Sequence, residues 1–174
     1  MSEDSEPKIE KLLQELRKGH KVTHFVESRK RNIYILDNTD IIYLTYSKIH
    51  FQANPPRYFF GISKGITDIL KKSDNTYVLL ICGEIENYFL IEFKKINSIL
   101  LHKSTAQDGY WKIHITDKFE LKEGSNFNLS SYKDRYGLFG QAGVPKDDDI
   151  NKIDEDDIKR RKENLINLWK SMPK

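Results

Sequence analysis

Apolar and polar residues alternate in short runs along the middle of the chain, and turn residues separate the runs. Residues 41–46, for example, follow the turn signal Asp37-Asn38-Thr39-Asp40. Two further runs flank residues 83–87 and predict a hairpin. The predicted strands are residues 22–27, 32–36, 41–46, 57–62, 76–82, 88–93, 110–115, 119–122 and 127–129.

Other segments place apolar residues three and four positions apart, which is typical of an amphipathic helix. Pro7 suits the first turn of the first such helix, and Ser63 is the predicted N-cap of the second. The predicted helices are residues 7–18, 64–72, 95–102 and 153–172.

Short strands dominate this pattern and are rich in tyrosine, phenylalanine and isoleucine. They predict a mainly β fold, α+β by content, built as a largely antiparallel barrel or sandwich. The absence of a βαβαβ rhythm disfavours a doubly wound nucleotide-binding fold. The aromatic run Tyr58-Phe59-Phe60 is interpreted as part of the core.

A long polar segment interrupts two of the strands at residues 46–57. Hairpins usually close in about two to five residues, and longer loops are often functional. The side chains of this segment donate and accept hydrogen bonds of the kind that phosphates and base edges require. The alternative is a surface loop whose His50 and Phe51 pack back on the body of the fold. The candidate contact residues are Ser47, Lys48, His50, Gln52, Asn54 and Arg57.

Charge and cysteine content narrow the picture only slightly. The formal net charge of the 174 residues is +3 and the isoelectric point is about 8.8, which does not by itself indicate a nucleic-acid partner. The excess of basic residues lies in the body, because residues 145–174 hold eight acidic and eight basic residues. The single cysteine, Cys82, lies in an apolar run and is predicted to be buried. No apolar run approaches about 18 residues, so we expect a cytoplasmic protein without a membrane contact.

One enzyme signal competes with a binding function. The strand at residues 88–93 leads into Glu92-Phe93-Lys94, and a Glu-x-Lys tripeptide after an apolar strand is typical of Mg²⁺-dependent nucleases. Such a site needs a second acidic ligand, and Asp74, Glu84 and Glu86 are not spaced as the motif requires. The five histidines are scattered, so no metal site is predicted, and no cofactor is expected except Mg²⁺ under this alternative.

The order of strands and short sequence words resembles a known family. The words are RYFFGI at residues 57–62, YVLLICG at 77–83, YWKIHI at 110–115 and FELKEGSNFNLSSYKDRYGLF at 119–139. Over roughly residues 41–139 the chain resembles the B3-like DNA-binding domain of plant transcription factors and of bacterial restriction endonucleases. The resemblance implies an open seven-stranded pseudobarrel with two short helices, here extended by N-terminal and C-terminal amphipathic helices. The implied division is residues 1–40 (helix and small β extension), 41–139 (barrel) and 140–174 (linker and helix).

The resemblance also implies how the domain would work. Two loop arms enter the major groove of double-stranded DNA, the first being residues 46–57. Within it Gln52 and Asn54 can pair with adenine, while Lys48 or Arg57 can reach guanine or a phosphate. The second arm follows the strand at residues 88–93. Apart from the resemblance, which does not extend to the first forty residues, the basic turn at residues 28–31 offers candidate phosphate contacts. The residues concerned are Lys94, Lys95, Lys103, Ser104 and Gln107 for the arm and Arg29, Lys30 and Arg31 for the turn.

The predicted function is therefore a non-catalytic module that recognises double-stranded DNA within a restriction-modification endonuclease. Its partner beyond DNA would be a nuclease or motor domain or subunit of the same system. Two alternatives stay open. One is a small Mg²⁺-dependent nuclease that uses Glu92 and Lys94, and the other is a protein-interaction domain that uses the charged C-terminal helix.

Overall fold

The fold is described from a computed structural model, which covers residues 5–25, 32–122 and 127–133 and residue 163. The three continuous ranges contain α1 (Ser5–Gly19), α2 (Lys64–Leu70), α3 (Phe93–Leu100) and one 3₁₀ turn (Ser130–Tyr132). The strands are β1 (Val22–His24), β2 (Ile33–Leu36), β3 (Asp40–Ser47), β4 (Ile49–His50), β5 (Arg57–Ser63), β6 (Thr76–Cys82), β7 (Tyr88–Glu92), β8 (Tyr110–Thr116), β9 (Glu120–Leu121) and β10 (Phe127–Asn128).

These strands form two open five-stranded sheets. Sheet A has the order β1-β2-β3-β6-β7, and sheet B has the order β10-β9-β8-β5-β4. The named pairs are antiparallel except β3 and β6, which run parallel from Ile41–Thr76 to Ser47–Cys82. The parallel pair was not predicted. It arises because the chain leaves sheet A after β3, forms β4, β5 and α2, and returns to sheet A in the direction of β3.

Sheet A is buried on both faces along β2, β6 and most of β7, whereas its edge strand β1 is largely exposed. One face of the sheet packs on α1, and the opposite face packs on sheet B, α2 and α3. Both sets are visible within β6, where Leu79 and Ile81 face α1 while Val78, Leu80 and Cys82 face sheet B. A strand buried on both faces reads as a continuous apolar run, which explains the sequence of β6. The predicted burial of Cys82 is confirmed.

The helices follow their predicted signals. The apolar face of α1 is buried through Ile9, Leu12, Leu13 and Leu16. At the start of α2 the Ser63 hydroxyl accepts a hydrogen bond from the Ile66 N–H at 3.4 Å, so the predicted N-cap is confirmed. The helix predicted at 95–102 begins two residues earlier, directly after β7, as α3. The helix predicted at residues 153–172 lies outside the described residues except for residue 163, as does the whole of the predicted linker.

The chain passes from sheet A to sheet B at Ser47 and Lys48. Ser47 is only 5% exposed, and its hydroxyl accepts the Phe59 N–H at 2.9 Å and donates to the Lys48 carbonyl at 2.9 Å. The Ser47 carbonyl accepts the Gly83 N–H at 2.9 Å. Ser47 is therefore bonded both to β5 of sheet B and to the turn after β6 of sheet A, which holds the corner between the two sheets.

The predicted mainly β, α+β class is confirmed, and both sheets are open in the described part of the chain rather than closed into a barrel. The domain boundary predicted at residue 40 lies at the turn between β2 and β3, two adjacent strands of sheet A. β1 and β2 extend the same sheet that contains β3, β6 and β7. The first forty residues thus contribute α1 and two strands to a shared core.

Candidate nucleic-acid interface

The strands of sheet B turn one face towards the core and the other away from it. Along β5, residues 58, 60 and 62 are buried, whereas the alternate residues are half-buried or exposed. The alternate residues of β5 are paired with outward residues of β8: Arg57 with Thr116, Phe59 with His114, and Gly61 with Lys112. We call this surface the outer face of sheet B and define it by His50, Arg57, Phe59, Tyr110, Lys112 and His114.

Phe59 lies at the centre of the outer face and is 36% exposed. The His50 ring lies 4.7 Å from the Phe59 ring on the β4 side, and the His114 ring lies 4.8 Å from it on the β8 side, both nearly perpendicular. The Arg57 guanidinium carbon lies 5.8 Å from the centre of the same ring. The assignment of Phe59 to the core was therefore wrong, because no described element packs on this face as α1 packs on sheet A.

A second exposed ring is that of Tyr110, which is paired with Ser63 at the start of β8 and is 43% exposed. Its ring extends over Gly61, whose added Cβ would lie 3.3 Å from the Tyr110 Cδ1. The Lys112 ammonium lies 5.3 Å from the centre of the Tyr110 ring and is ion-paired with Asp108. The hydrogen bond from Lys112 holds the pKa of the Asp108 carboxyl below its usual value. The Lys112 charge is thus kept at the edge of the aromatic surface.

The hairpin that joins β4 to β5 forms one end of the outer face. Its turn, residues 51–56, carries Phe51, which is 76% exposed, and the exposed Gln52 and Asn54. Arg57 donates from Nη2 to the Asn54 carbonyl at 3.2 Å, while its buried Nε has no hydrogen-bond partner among the described residues. The alternative with Phe51 packed on the body is wrong, whereas His50 does pack against Phe59.

The predicted contact residues of the second arm lie on α3 and in the loop that follows it. Lys94 is paired with Asp74 at 3.7 Å, and Lys95 donates to the Tyr132 hydroxyl at 2.7 Å. Both side chains therefore extend from α3 to partners that do not belong to the outer face of sheet B. Lys103, Ser104 and Gln107 follow α3 in the loop before β8. The Lys103 ammonium donates to the Lys112 carbonyl, which connects that loop to the outer face. Arg29, Lys30 and Arg31 lie outside the described residues.

Two polar segments therefore lie at opposite ends of the outer face. The β4–β5 hairpin adjoins Arg57 at the start of β5, and the α3–β8 loop adjoins Tyr110, which pairs with Ser63 at the end of β5. Seven residues of strand separate them, or about 20 Å at roughly 3.4 Å per residue. The structure thus places His50 and Arg57 of the first predicted arm at one end of the outer face and connects Lys103 of the second arm to the other end, whereas Lys94 and Lys95 lie on α3.

The residues of the nuclease alternative meet at another edge of the molecule. Because β6 and β7 are antiparallel, Asp74 before β6 lies at the end of β7 that carries Glu92 and Lys94. This proximity was not expected from the spacing. Within the described residues, however, no three histidine, cysteine, aspartate or glutamate side chains are grouped closely enough to hold a metal ion.

Sequence reasoning missed Phe59, Tyr110, Lys112 and His114 as candidates. Two signals could have indicated them: the period of two along residues 57–63 and 110–116, and a glycine at position 61 in the middle of a strand, which often marks a close approach. No protein-family model, curated protein or solved structure matches the chain. In the described ranges, no helix has the length and apolar character needed to span a bilayer.

Proposed function

We propose that the chain is a non-catalytic module that binds double-stranded DNA through the β4–β5 hairpin and the α3–β8 loop. The observation that supports this most is the position of His50 and Arg57. They are direct cross-strand partners at the base of the hairpin, and Arg57 has one N–H without a partner among the described residues. A buried unsatisfied donor costs free energy. Arg57 would therefore gain free energy by changing its side-chain conformation to donate to an acceptor such as a phosphate oxygen.

The hairpin tip supplies the residues that could read bases. Gln52 and Asn54 are exposed beyond the end of sheet B, and an amide side chain can bond to the N6 and N7 atoms of adenine at once. The tip must enter a groove about 8.5 Å deep, which a hairpin turn of six residues can do without disturbing the core. Lys48 at the corner and Lys103 at the opposite loop would hold phosphates on either side.

The proposal includes a relation to the B3-like DNA-binding domain, which the short sequence segments of residues 57–139 resemble. In that relation, seven of the eight strands from β3 to β10 would form the open pseudobarrel, and the two loops would be its arms. The module would serve a restriction-modification endonuclease in the cytoplasm, with catalysis in another domain or subunit. Two loops at opposite ends of one sheet are the arrangement that two arms in one groove require, and this supports the relation.

The salt dependence of binding to a random-sequence duplex tests the proposal. The logarithm of the affinity should fall linearly with the logarithm of salt concentration, with a slope of about 0.9 per phosphate contact. Arg57→Gln should reduce this slope by about 1 for all sequences. The matched control is Lys11→Gln, which removes an exposed charge from α1 on the far side of sheet A. An affinity that does not change with salt, or equal slopes for both variants, would refute the proposal.

Base reading is tested by selection on randomised duplexes, followed by titration of the preferred site. Asn54→Ala should cost about 1–3 kcal/mol on that site and relax the preference at one position. The same substitution should leave binding to unrelated duplexes almost unchanged, because it removes no charge. Unaltered preference after both Gln52→Ala and Asn54→Ala would show that the hairpin tip does not read bases.

A second candidate function, the Mg²⁺-dependent nuclease, is favoured by the approach of Asp74 to Lys94 at 3.7 Å. The binding proposal expects no cleavage of a bound duplex in the presence of Mg²⁺. It also expects Glu92→Ala to bind DNA as the parent does. Cleavage that requires Mg²⁺ and is abolished by both Glu92→Ala and Asp74→Ala would favour the nuclease instead.

A further inference from the structure

The two exposed rings of the outer face form a surface that double-helical DNA cannot use fully. A duplex keeps its bases stacked on one another and presents only their edges, so no base face is accessible to a ring on a flat sheet. Phe59 and Tyr110 nevertheless stand exposed on the adjacent strands β5 and β8. The hairpin and loop contacts proposed above do not involve either ring.

We propose that Phe59 and Tyr110 form a stacking site for unpaired nucleobases, in single-stranded DNA or RNA or in a strand displaced from a duplex. The chemistry is general: exposed aromatic side chains interleaved with cations bind unpaired strands, because every base has a π-face and every nucleotide a phosphate. This inference goes beyond the duplex binding proposed above and stands on its own if that binding fails.

The neighbours of Phe59 hold its ring in place. His50 on β4 and His114 on β8 contact it at nearly right angles, with ring centres 4.7 and 4.8 Å away. The three rings form a row across three adjacent strands, so Phe59 cannot fold down onto the sheet on either side. A ring that is already immobilised loses little conformational freedom when a base stacks on it.

Gly61 determines the position of the second ring. It lies between the two aromatic positions on the outer face, and a Cβ added there would lie only 3.3 Å from the Tyr110 Cδ1, so the ring packs directly on this glycine. Tyr110 is paired with Ser63, four residues from Phe59 along β5, so the two side chains leave the sheet about 14 Å apart, and the Tyr110 ring reaches back over Gly61 towards Phe59. At a rise of roughly 3.4 Å per nucleotide, two bases about two to four nucleotides apart in one strand could each reach one of the rings.

The charges around the rings fit a polynucleotide rather than an apolar partner. The Arg57 guanidinium lies 5.8 Å from the Phe59 ring, and the Lys112 ammonium lies 5.3 Å from the Tyr110 ring. Each stacking position thus has its own cation beside it. A surface for an apolar peptide or for a second copy of this chain would bury both cations, and such burial costs free energy even for Lys112, which is paired with Asp108.

Anisotropy titration of a fluorescein-labelled thymidine oligonucleotide of about ten residues, within the usual site sizes of 4–16 nucleotides, tests the inference. Phe59→Leu should weaken binding between about 5-fold and 150-fold, which corresponds to about 1–3 kcal/mol per stacked base. Phe59→Tyr keeps the ring and should retain affinity within about twofold. Gly61→Ala should also weaken binding, because its Cβ displaces the Tyr110 ring. Circular dichroism of each variant checks that the fold is retained.

Ultraviolet crosslinking of the same oligonucleotide gives an independent readout. Crosslinked peptides should contain Phe59 or Tyr110. Crosslinks confined to residues 51–56, or equal affinities of the parent and Phe59→Leu, would overturn the inference. Self-association of the protein that Phe59→Leu abolishes, with unchanged oligonucleotide affinity, would overturn it in favour of a second copy.

The two proposals fail separately. Oligonucleotide binding that depends on Phe59, without duplex binding, would refute the duplex proposal and support the stacking site. Duplex binding that depends on Arg57 but not on Phe59, without oligonucleotide binding, would do the reverse.

Discussion

Removal of the Ser47 hydroxyl should destabilise the whole fold although it deletes a single atom. The β4–β5 ladder ends at the pair Ile49–Tyr58, one residue before Phe59. The Phe59 N–H is therefore left without a partner strand on that side, and the Ser47 hydroxyl accepts it at 2.9 Å. In Ser47→Ala this part-buried N–H loses its acceptor, and little water can take the place of the hydroxyl because residue 47 is 5% exposed.

The expected magnitude follows from that unpaired donor. Leaving a buried polar group unsatisfied costs about 1–3 kcal/mol, a large share of a net stability of about 5–15 kcal/mol. For a chain of 174 residues, 1 kcal/mol lowers the melting temperature by about 2–4 °C, so we expect a decrease of about 2–12 °C. The lost donation from Ser47 to the Lys48 carbonyl at 2.9 Å adds to the effect.

Urea unfolding followed by circular dichroism measures the loss. The matched control is Ser98→Ala, because Ser98 also donates to a main-chain carbonyl, that of Lys95 at 2.8 Å, but is exposed on α3. Its free energy of unfolding should change by less than about 0.5 kcal/mol. A Ser47→Ala effect no larger than that of the control would refute the argument that Ser47 connects the two sheets.

Three further predictions follow from burial and backbone geometry. Burial raises the pKa of the Cys82 thiol, so the folded protein should not react with iodoacetamide at about pH 8, and rapid labelling would contradict the burial. Leu12→Ala should lower the free energy of unfolding by about 2–5 kcal/mol in urea titration, because Leu12 of α1 is fully buried against sheet A. A loss below about 1 kcal/mol would indicate that α1 does not pack on the sheet. Gly83→Ala should lower the free energy of unfolding by about 1–2 kcal/mol in the same measurement, because Gly83 has a φ of 75°, which a residue with a Cβ adopts only with strain. Steric contact adds little, since the added Cβ would lie 3.6 Å from Tyr58. An unchanged unfolding midpoint would argue against this backbone conformation.

Local signals in the sequence predicted most of the elements. The bounds of β6 were predicted to the residue, and the Ser63 cap and the apolar face of α1 were predicted correctly. Such features depend on neighbours a few positions away, which the chain itself specifies. The turn after β6 was also predicted, and its first residue, Gly83, adopts the left-handed conformation that glycine favours.

The candidate site was predicted only in part. The hairpin residues His50, Gln52, Asn54 and Arg57 were selected from their chemistry, and the structure places them together at one end of sheet B. Lys94 and Lys95 were selected for the same reason, but they contact Asp74 and Tyr132 and lie away from the hairpin. Residue type indicates what a side chain can bind, whereas its position in space depends on how distant strands pair.

What the sequence determined by itself is which residues share a face. In the run from Tyr58 to Phe60 the period of two already separates Phe59 from its neighbours. Only the tertiary structure decided which faces are covered. α1 packs on the outer side of sheet A, so both faces of β6 are buried, whereas Phe59 on sheet B is exposed beside Arg57. The pairing of β3 with β6 was decided in the same way. The physical reason is that both outcomes depend on contacts between segments far apart in the chain, and local periodicity carries no information about which segments will meet.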